Sequence, residues 1–256
     1  MTHLSKHKIF ETALFTVVIL TAIYNFIAKG EYSVNVTIAS FSALLGVICV
    51  IYGAKGSMAN WIVGIVECFL HIYITCAEHF YGDALQRLFY NLPMQFIGWK
   101  SWQKRRTTRS NGKRRLRTRF MTWRIRLITL GIIVVSTVLL ALFLRYYGVH
   151  VREFLVAFLG SFGIEADFKT LKPDYPSSLA LWLDSFTTVC SIIAMWISVK
   201  AYVEMWWIWL AINVAYLTMW GCNPNSDFTF MTIVKYSIYL VNTFYGLYMW
   251  NKLAKQ

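Results

Sequence analysis

Apolar residues gather into eight stretches close to the length of a membrane crossing: Ile9–Ala28, Val34–Gly53, Trp61–Phe80, Leu88–Trp102, Leu127–Leu144, Leu179–Val199, Met205–Gly221 and Phe228–Trp250. None of them alternates apolar and polar residues as a barrel strand would. The pattern predicts an all-α integral membrane protein of about eight transmembrane helices. The fourth stretch is short and interrupted by Asn91, Pro93 and Gln95. Its assignment leans on an internal repeat.

That repeat is read from residues at matching offsets. Phe41, Ile48, Lys55 and Trp61 fall on Phe186, Ile193, Lys200 and Trp206, 145 positions later (41 to 186). After a three-residue difference in loop length, Arg87, Phe96, Gly98 and Trp102 fall on Lys235, Phe244, Gly246 and Trp250. Two three-helix repeats are therefore expected, joined by a linker helix (3+1+3) and preceded by one amino-terminal helix. The odd linker makes both triplets enter from the same side, so the repeats are parallel and the pathway lies near a pseudo-two-fold axis along the membrane normal. The divisions expected are an amino-terminal helix (1–30), a first triplet (31–102), a basic loop, linker helix and outer segment (103–178), and a second triplet with a tail (179–256). Within 146–178, Val151–Phe162 reads as an interfacial helix and Gly163–Ser178 as a loop.

Composition agrees: 57% of residues are hydrophobic and 14% charged, too few charges to cover a soluble domain of this size. The net charge of +13 is concentrated, since eleven Lys and Arg lie between Lys104 and Arg126. Between two spanning segments such a cluster is read as a positive-inside loop facing the cytoplasm rather than as a nucleic-acid site. Alternation from there puts both termini in the cytoplasm, together with the turns at Lys55 and Lys200. The first stretch lacks a small-residue cleavage site and reads as a retained helix. Cys49, Cys68 and Cys190 read as packing residues, while Cys76 and Cys222, near the same outer face, are candidates to pair. No metal or cofactor spacing is present.

Polar groups inside spanning segments need a partner or a cavity. Asp184, Thr187, Thr188 and Ser191 share one helical face, and Trp206, Trp209 and Asn213 share another. Asn91, Gln95 and Gly98 form a third stripe, and Tyr236, Tyr239 and Thr243 a fourth. Glu67 and His71 stand one turn apart and are expected to pair. For a single hydroxyl, a bond to its own helix is the commoner role, and tryptophans near a helix end also fit an aromatic belt. Together, however, the stripes suit a ligand. Indole faces attract rings and cations, Asp184 attracts positive charge, and Asn213 and Gln95 both donate and accept. A planar ring bearing hydroxyls or an amide fits that chemistry. Acid–base catalysis finds no support, because Asp184 lies on a different helix from Glu67 and His71, and the three show no recognised catalytic spacing.

Two segments carry a resemblance to a known family. FYGDALQRLFYNLPMQFIGWKSW (Phe80–Trp102) resembles the Y-G-D-A…Y…G-W-x-x-W signature of the PnuC nicotinamide riboside transporters. LDSFTTVCSIIAMWISVKAYVEMWWIWLAINVAY (Leu183–Tyr216) is similar to that family's L-D-x-x-T-T, S-x-x-A-x-W and W-x-x-W-x-x-x-N elements. The resemblance implies a fold like full-length SWEET sugar transporters. It also implies uptake of nicotinamide riboside across a bacterial inner membrane by energy-independent facilitated diffusion, with trapping by a cytoplasmic riboside kinase. It implies a homotrimer in the lipid bilayer, no enzymatic activity and no cofactor. Carried over by motif, Trp206, Trp209 and Asn213 line the substrate site. Asp184, Gln95, Thr187, Ser191 and Tyr239 are further candidates. The chain departs from the family at Cys68, where the first triplet often has Asn, and at Pro93, in a helix that is commonly smoother. Members resembling thiamine or riboflavin transporters share the fold and are the alternative reading.

Overall fold

Ser33 and Ser177 begin corresponding helices in the two halves of the chain. Each hydroxyl accepts the exposed backbone N–H three residues on, from Val36 at 3.2 Å and from Ala180 at 3.1 Å. The computed structural model describes residues 3–29, 33–78, 80–108, 114–161, 177–222 and 227–255. In chain order these form α1 (His3–Lys29), α2 (Val34–Ala54), α3 (Ala59–Ala77), α4 (Tyr81–Gln86), a π turn (Arg87–Asn91), α5 (Leu92–Lys104), β1 (Arg106–Thr108), β2 (Arg114–Leu116), α6 (Trp123–Gly160), α7 (Ser178–Val199), α8 (Met205–Gly221) and α9 (Thr229–Ala254).

Among the described residues the structure is helical apart from one small antiparallel strand pair, β1 with β2. Segments of α1, α2, α3, α6 and α7 are long and apolar enough to cross a membrane. Among the others, α8 has 17 residues and α9 carries Lys235 inside its span. Both pack in the same bundle, α8 against α7 and α9, and α9 also against α2. Across the bundle, α4 and α5 pack on α7.

Three elements differ from what periodicity alone predicts. The fourth helix starts at Tyr81 rather than Leu88 and runs to Lys104 through the π turn. Pro93 in the first turn of α5 has no N–H to donate, and the widened turn just before it absorbs the lost ladder bond. The linker and the expected interfacial helix are one helix, α6, of 38 residues, because Tyr146–His150 contains no helix-breaking pair. Leu144 Cδ1 lies against Gly82 at the start of α4. Yet Phe154 and Phe158 meet Phe89 with ring centroids 6.0 and 6.1 Å away. The distal part of α6 therefore runs alongside α4 and the π turn instead of projecting outward. Residues 162–176, most of the expected loop, lie outside the described residues, as do 223–226 of the turn after α8. Finally, Cys76 and Cys222 are both free thiols, with Cys76 buried and Cys222 exposed.

Within the basic loop, residues 114–121 are also folded. Past β2 the chain alternates inward and outward, with Leu116, Thr118 and Met121 buried and Arg115, Arg117 and Arg119 exposed. Leu116 and Met121 join an apolar cluster containing Trp61, Trp102, Trp206 and Trp250. That cluster closes the basic end of the bundle.

Candidate functional site

Between the first and second groups of helices lies a cavity of about 130 Å³. At one end runs a row of four indoles, of which Trp102 and Trp206 line the cavity and Trp61 and Trp250 pack behind them. Trp61 and Trp102 meet edge to face at 4.9 Å, Trp102 and Trp250 lie 5.7 Å apart, and Trp250 and Trp206 meet edge to face at 5.9 Å. The two outer indoles occupy space left by glycines. A Cβ on Gly98 would collide with the Trp61 ring, and one on Gly246 with the Trp206 ring. The two inner indoles reach across the bundle. Trp102 Nε1 donates to the Ser198 carbonyl at 2.9 Å, and Trp250 Nε1 donates to the Gly53 carbonyl at 3.1 Å. Both acceptors are the penultimate residues of their helices, α7 and α2, and each carbonyl also accepts the backbone N–H three residues on, from Ala201 at 2.9 Å and from Gly56 at 3.0 Å.

The walls are polar. Asn213 Nδ2 donates to Thr243 Oγ1 at 3.0 Å, and Gln95 Nε2 points to Cys68 Sγ at 3.9 Å. The carbonyl oxygens of Asn91, Gln95, Asn213 and Asn242 are buried without a protein partner, and so are the indole N–H groups of Trp61 and Trp206. Asn91, Gln95, Asn213 and Asn242, with Trp206, line the cavity. Orphaned buried groups of this kind are costly unless a ligand or water meets them. The surplus is of acceptors, so the site favours a ligand rich in donors or positive charge.

The opposite end of the cavity is closed by charge. Glu67 and Arg87 are the acid and the base among the lining residues. Lys235 Nζ donates to Ser42 Oγ at 3.1 Å, to Glu67 Oε1 at 3.2 Å and to His71 Nδ1 at 2.8 Å, which uses all three ammonium hydrogens. Because His71 accepts through Nδ1, its proton sits on Nε2, which faces the Tyr236 hydroxyl at 3.2 Å and Asp83 Oδ2 at 3.4 Å. Arg87 reaches Glu67 Oε2 at 3.5 Å and Asp83 Oδ1 at 3.1 Å. Two acids and two bases are thus balanced within one buried network, the condition under which such charges are tolerated away from water.

Of the eight expected site residues, Gln95, Trp206, Trp209, Asn213 and Tyr239 line this cavity. Asp184, Thr187 and Ser191 do not. Asp184 is wholly buried and accepts the backbone N–H groups of Gly82 and Asp83 at 2.9 and 3.0 Å. Its charge is met by the first N–H groups of α4, where a carboxylate is favoured, so no cationic ligand is needed. Thr187 bonds the carbonyls of Leu183 and Asp184 on its own helix at 2.9 and 3.1 Å. Cys49 and Cys68 line the cavity rather than serving as packing alone. Glu67 and His71 stand 3.9 Å apart, within the larger network. Arg87 and Lys235 are not part of the stripes, although both are visible as charges at matching offsets, Lys235 inside an apolar stretch and Arg87 at the edge of one.

A helical bundle with several membrane-spanning segments and a polar cavity at its centre defines a multi-pass membrane protein of the carrier type. The chain belongs to the nicotinamide mononucleotide transporter family, whose sequence profile matches residues 36–252. Relatives include the nicotinamide riboside transporter PnuC of Haemophilus influenzae, 26% identical over 98% of this chain and 94% of that protein. The PnuC of Neisseria mucosa is 24% identical over 86% of this chain and 73% of that protein. The Escherichia coli PnuC is 26% identical over 73% of this chain and 75% of that protein. The fold matches the crystal structure of the vitamin B3 transporter PnuC with a TM-score of 0.71 at 23% identity, covering 100% of this chain and 93% of that one.

Proposed function

We propose that this chain takes up nicotinamide riboside by facilitated diffusion, with the cavity as its substrate site. The observation that carries the reading is the pairing of indole faces with an acceptor-rich wall. A cationic pyridinium stacks on Trp206 or Trp209, while its carboxamide and ribose hydroxyls donate to the free amide oxygens of Gln95, Asn213 and Asn242. The relatives named nicotinamide riboside transporters support the same substrate. A phosphorylated form fits less well, because Arg87, the cation in the lining, is engaged by Asp83 and Glu67.

The transport cycle proposed is alternating access between two triplets, α2–α3–α4/α5 and α7–α8–α9, with α6 as linker and α1 leading. Several contacts support pairing about a two-fold axis. Trp102 to Ser198 and Trp250 to Gly53 are equivalent under the repeat offsets (53 to 198, 102 to 250), as are Cys68 with Gln95 and Asn213 with Thr243. The cavity is smaller than ordinary small-molecule sites of about 300–1,000 Å³, so the triplets must part to admit a nucleoside. On this reading there are eight spans in a bacterial inner membrane, with the basic end and both termini in the cytoplasm. A homotrimer and a kinase that traps the product complete the proposal, with the divisions 1–30, 31–102, 103–178 and 179–256.

Calorimetry on detergent-purified protein tests the substrate, comparing nicotinamide riboside, nicotinamide mononucleotide, thiamine and riboflavin. Micromolar binding of the riboside alone is expected, and preference for thiamine or riboflavin would overturn the assignment. Equilibration of labelled riboside in proteoliposomes without a gradient tests the mechanism, and a requirement for a proton gradient would reject it.

A further inference from the structure

We infer that residues 116–121, between the basic strand pair and α6, are a strap that holds the tryptophan floor of the cavity shut and must be released for ligand to leave at the basic end. The inference rests on the alternating-access reading above.

The strap crosses from one triplet to the other. Leu116 packs on Gly56 in the α2–α3 turn, where a Cβ would lie 3.2 Å from Leu116 Cβ. Gly56 has φ of 62°, a left-handed conformation natural to glycine. Thr118 Oγ1 then donates to the carbonyl of Trp250 at 3.0 Å. Arg119 pairs with the α7–α8 turn as a strand would. Its N–H donates to the Ala201 carbonyl at 3.0 Å, and its carbonyl accepts from Val203 at 3.0 Å. Met121 N–H closes the crossing by donating to Glu204 Oε1 at 3.0 Å.

The two turns are equivalent under the repeat, Gly56 falling on Ala201 (56 to 201). Ala201 takes the same left-handed conformation, with φ of 58°, but without the freedom of glycine. Of the two hydrogen bonds through Arg119, one is to the carbonyl of that strained residue and the other is to the N–H of Val203, two residues on. Trp250, fixed by Thr118, is also the indole that bonds Gly53 and touches both Trp102 and Trp206. Opening the basic end requires the two turns to separate, and a chain bonded to both opposes it. The side chains of Arg115 and Arg117 are exposed, whereas Arg119 adds a hold on the turn, its Nε donating to the Lys200 carbonyl at 3.3 Å and its guanidinium lying 4.2 Å over the Tyr202 ring.

The test reads access to the cavity through its own thiols. In a Cys222→Ser background, Cys49 and Cys68 report on the cavity, while buried Cys76 and Cys190 report on unfolding. Purified protein is treated with a cationic methanethiosulfonate and labelled sites are quantified by mass spectrometry. Thr118→Val and Leu116→Ala should each raise labelling of Cys49 and Cys68 at least fivefold, leave Cys76 and Cys190 unlabelled, and change riboside affinity by less than about threefold. Arg117→Ala should behave as the parent. Unchanged cavity labelling in both strap variants overturns the inference, as does a parallel rise at Cys76 and Cys190, which would make the strap a fold element only. If the parent binds no riboside, the substrate assignment fails while the labelling comparison still decides the strap.

Discussion

Lys235 Nζ lies 3.2 Å from Glu67 Oε1, across 168 residues of chain. The ammonium also holds Ser42 and His71, so α9, α2 and α3 are tied through one atom at the closed end of the cavity. Arg87 approaches the same carboxylate from the π turn. One acid therefore serves two bases brought in by different helices.

Glu67→Gln removes that shared counter-charge and leaves Lys235 and Arg87 with Asp83 as the remaining acid of the network. Breaking a buried pair from one side costs about 3–5 kcal/mol. A clear fall in unfolding temperature in detergent is expected, partly recovered by adding Lys235→Met. An unchanged temperature would mean that water already reaches the network.

Asn213→Ala and Gln95→Ala should weaken riboside binding while leaving the fold intact. Thr243, the partner of Asn213, keeps its bond to the Tyr239 carbonyl at 2.8 Å, so no hydroxyl is stranded. Loss of one net hydrogen bond of about 1–1.5 kcal/mol predicts a five- to tenfold rise in Kd by calorimetry. Equal affinity in both variants would remove the amides from the site.

Trp206→Ala and Trp209→Ala should each cost about 1–2 kcal/mol of binding if a cationic ring stacks there. The two need not be equal, since Trp206 is buried in the floor and Trp209 only half-buried. Titration of both variants with the riboside, against the parent, reads the difference. Unchanged affinity in both would make them anchoring aromatics.

Asp184→Ala is expected to act on stability rather than affinity. It leaves the N–H groups of Gly82 and Asp83 buried without their acceptor, at about 1–3 kcal/mol for each unsatisfied group. Asp184→Asn should recover part of the loss. Weaker binding per folded molecule, measured by calorimetry, would return this carboxylate to the substrate site.

Gly98→Ala and Gly246→Ala force a methyl group into the Trp61 and Trp206 rings, respectively. Overpacking of this kind costs about 1–3 kcal/mol. Thermal unfolding should fall in both, with a larger effect on riboside affinity for Gly246→Ala because Trp206 lines the cavity.

Much of this architecture was legible because a membrane enforces simple rules. Hydrophobic runs marked most of the helices. The stripe Trp206, Trp209, Asn213 pointed at the cavity because indoles and an amide have few other reasons to share a face. Asp184 lies off the cavity for a physical reason: a carboxylate can be met by backbone N–H groups, which leave no trace in composition. The π turn was hidden because Pro93 shows that a ladder bond is lost, not how the helix absorbs the loss. The run of arginines masked the strap, since the alternation of Leu116, Thr118 and Met121 is brief and lies inside a stretch that reads as charge.

Glu67 has no counterpart in the second triplet, where the matching position (67 to 212) is the buried Ile212. A site on a two-fold axis offers a lopsided ligand two poses, head to one triplet or head to the other, and equal walls would populate both. The two walls differ at this position, and a difference of about 1.4 kcal/mol already fills one pose tenfold over its mirror. On the proposed repeat, that mismatch gives the cavity a head and a tail, so the two poses of a lopsided ligand are not equivalent.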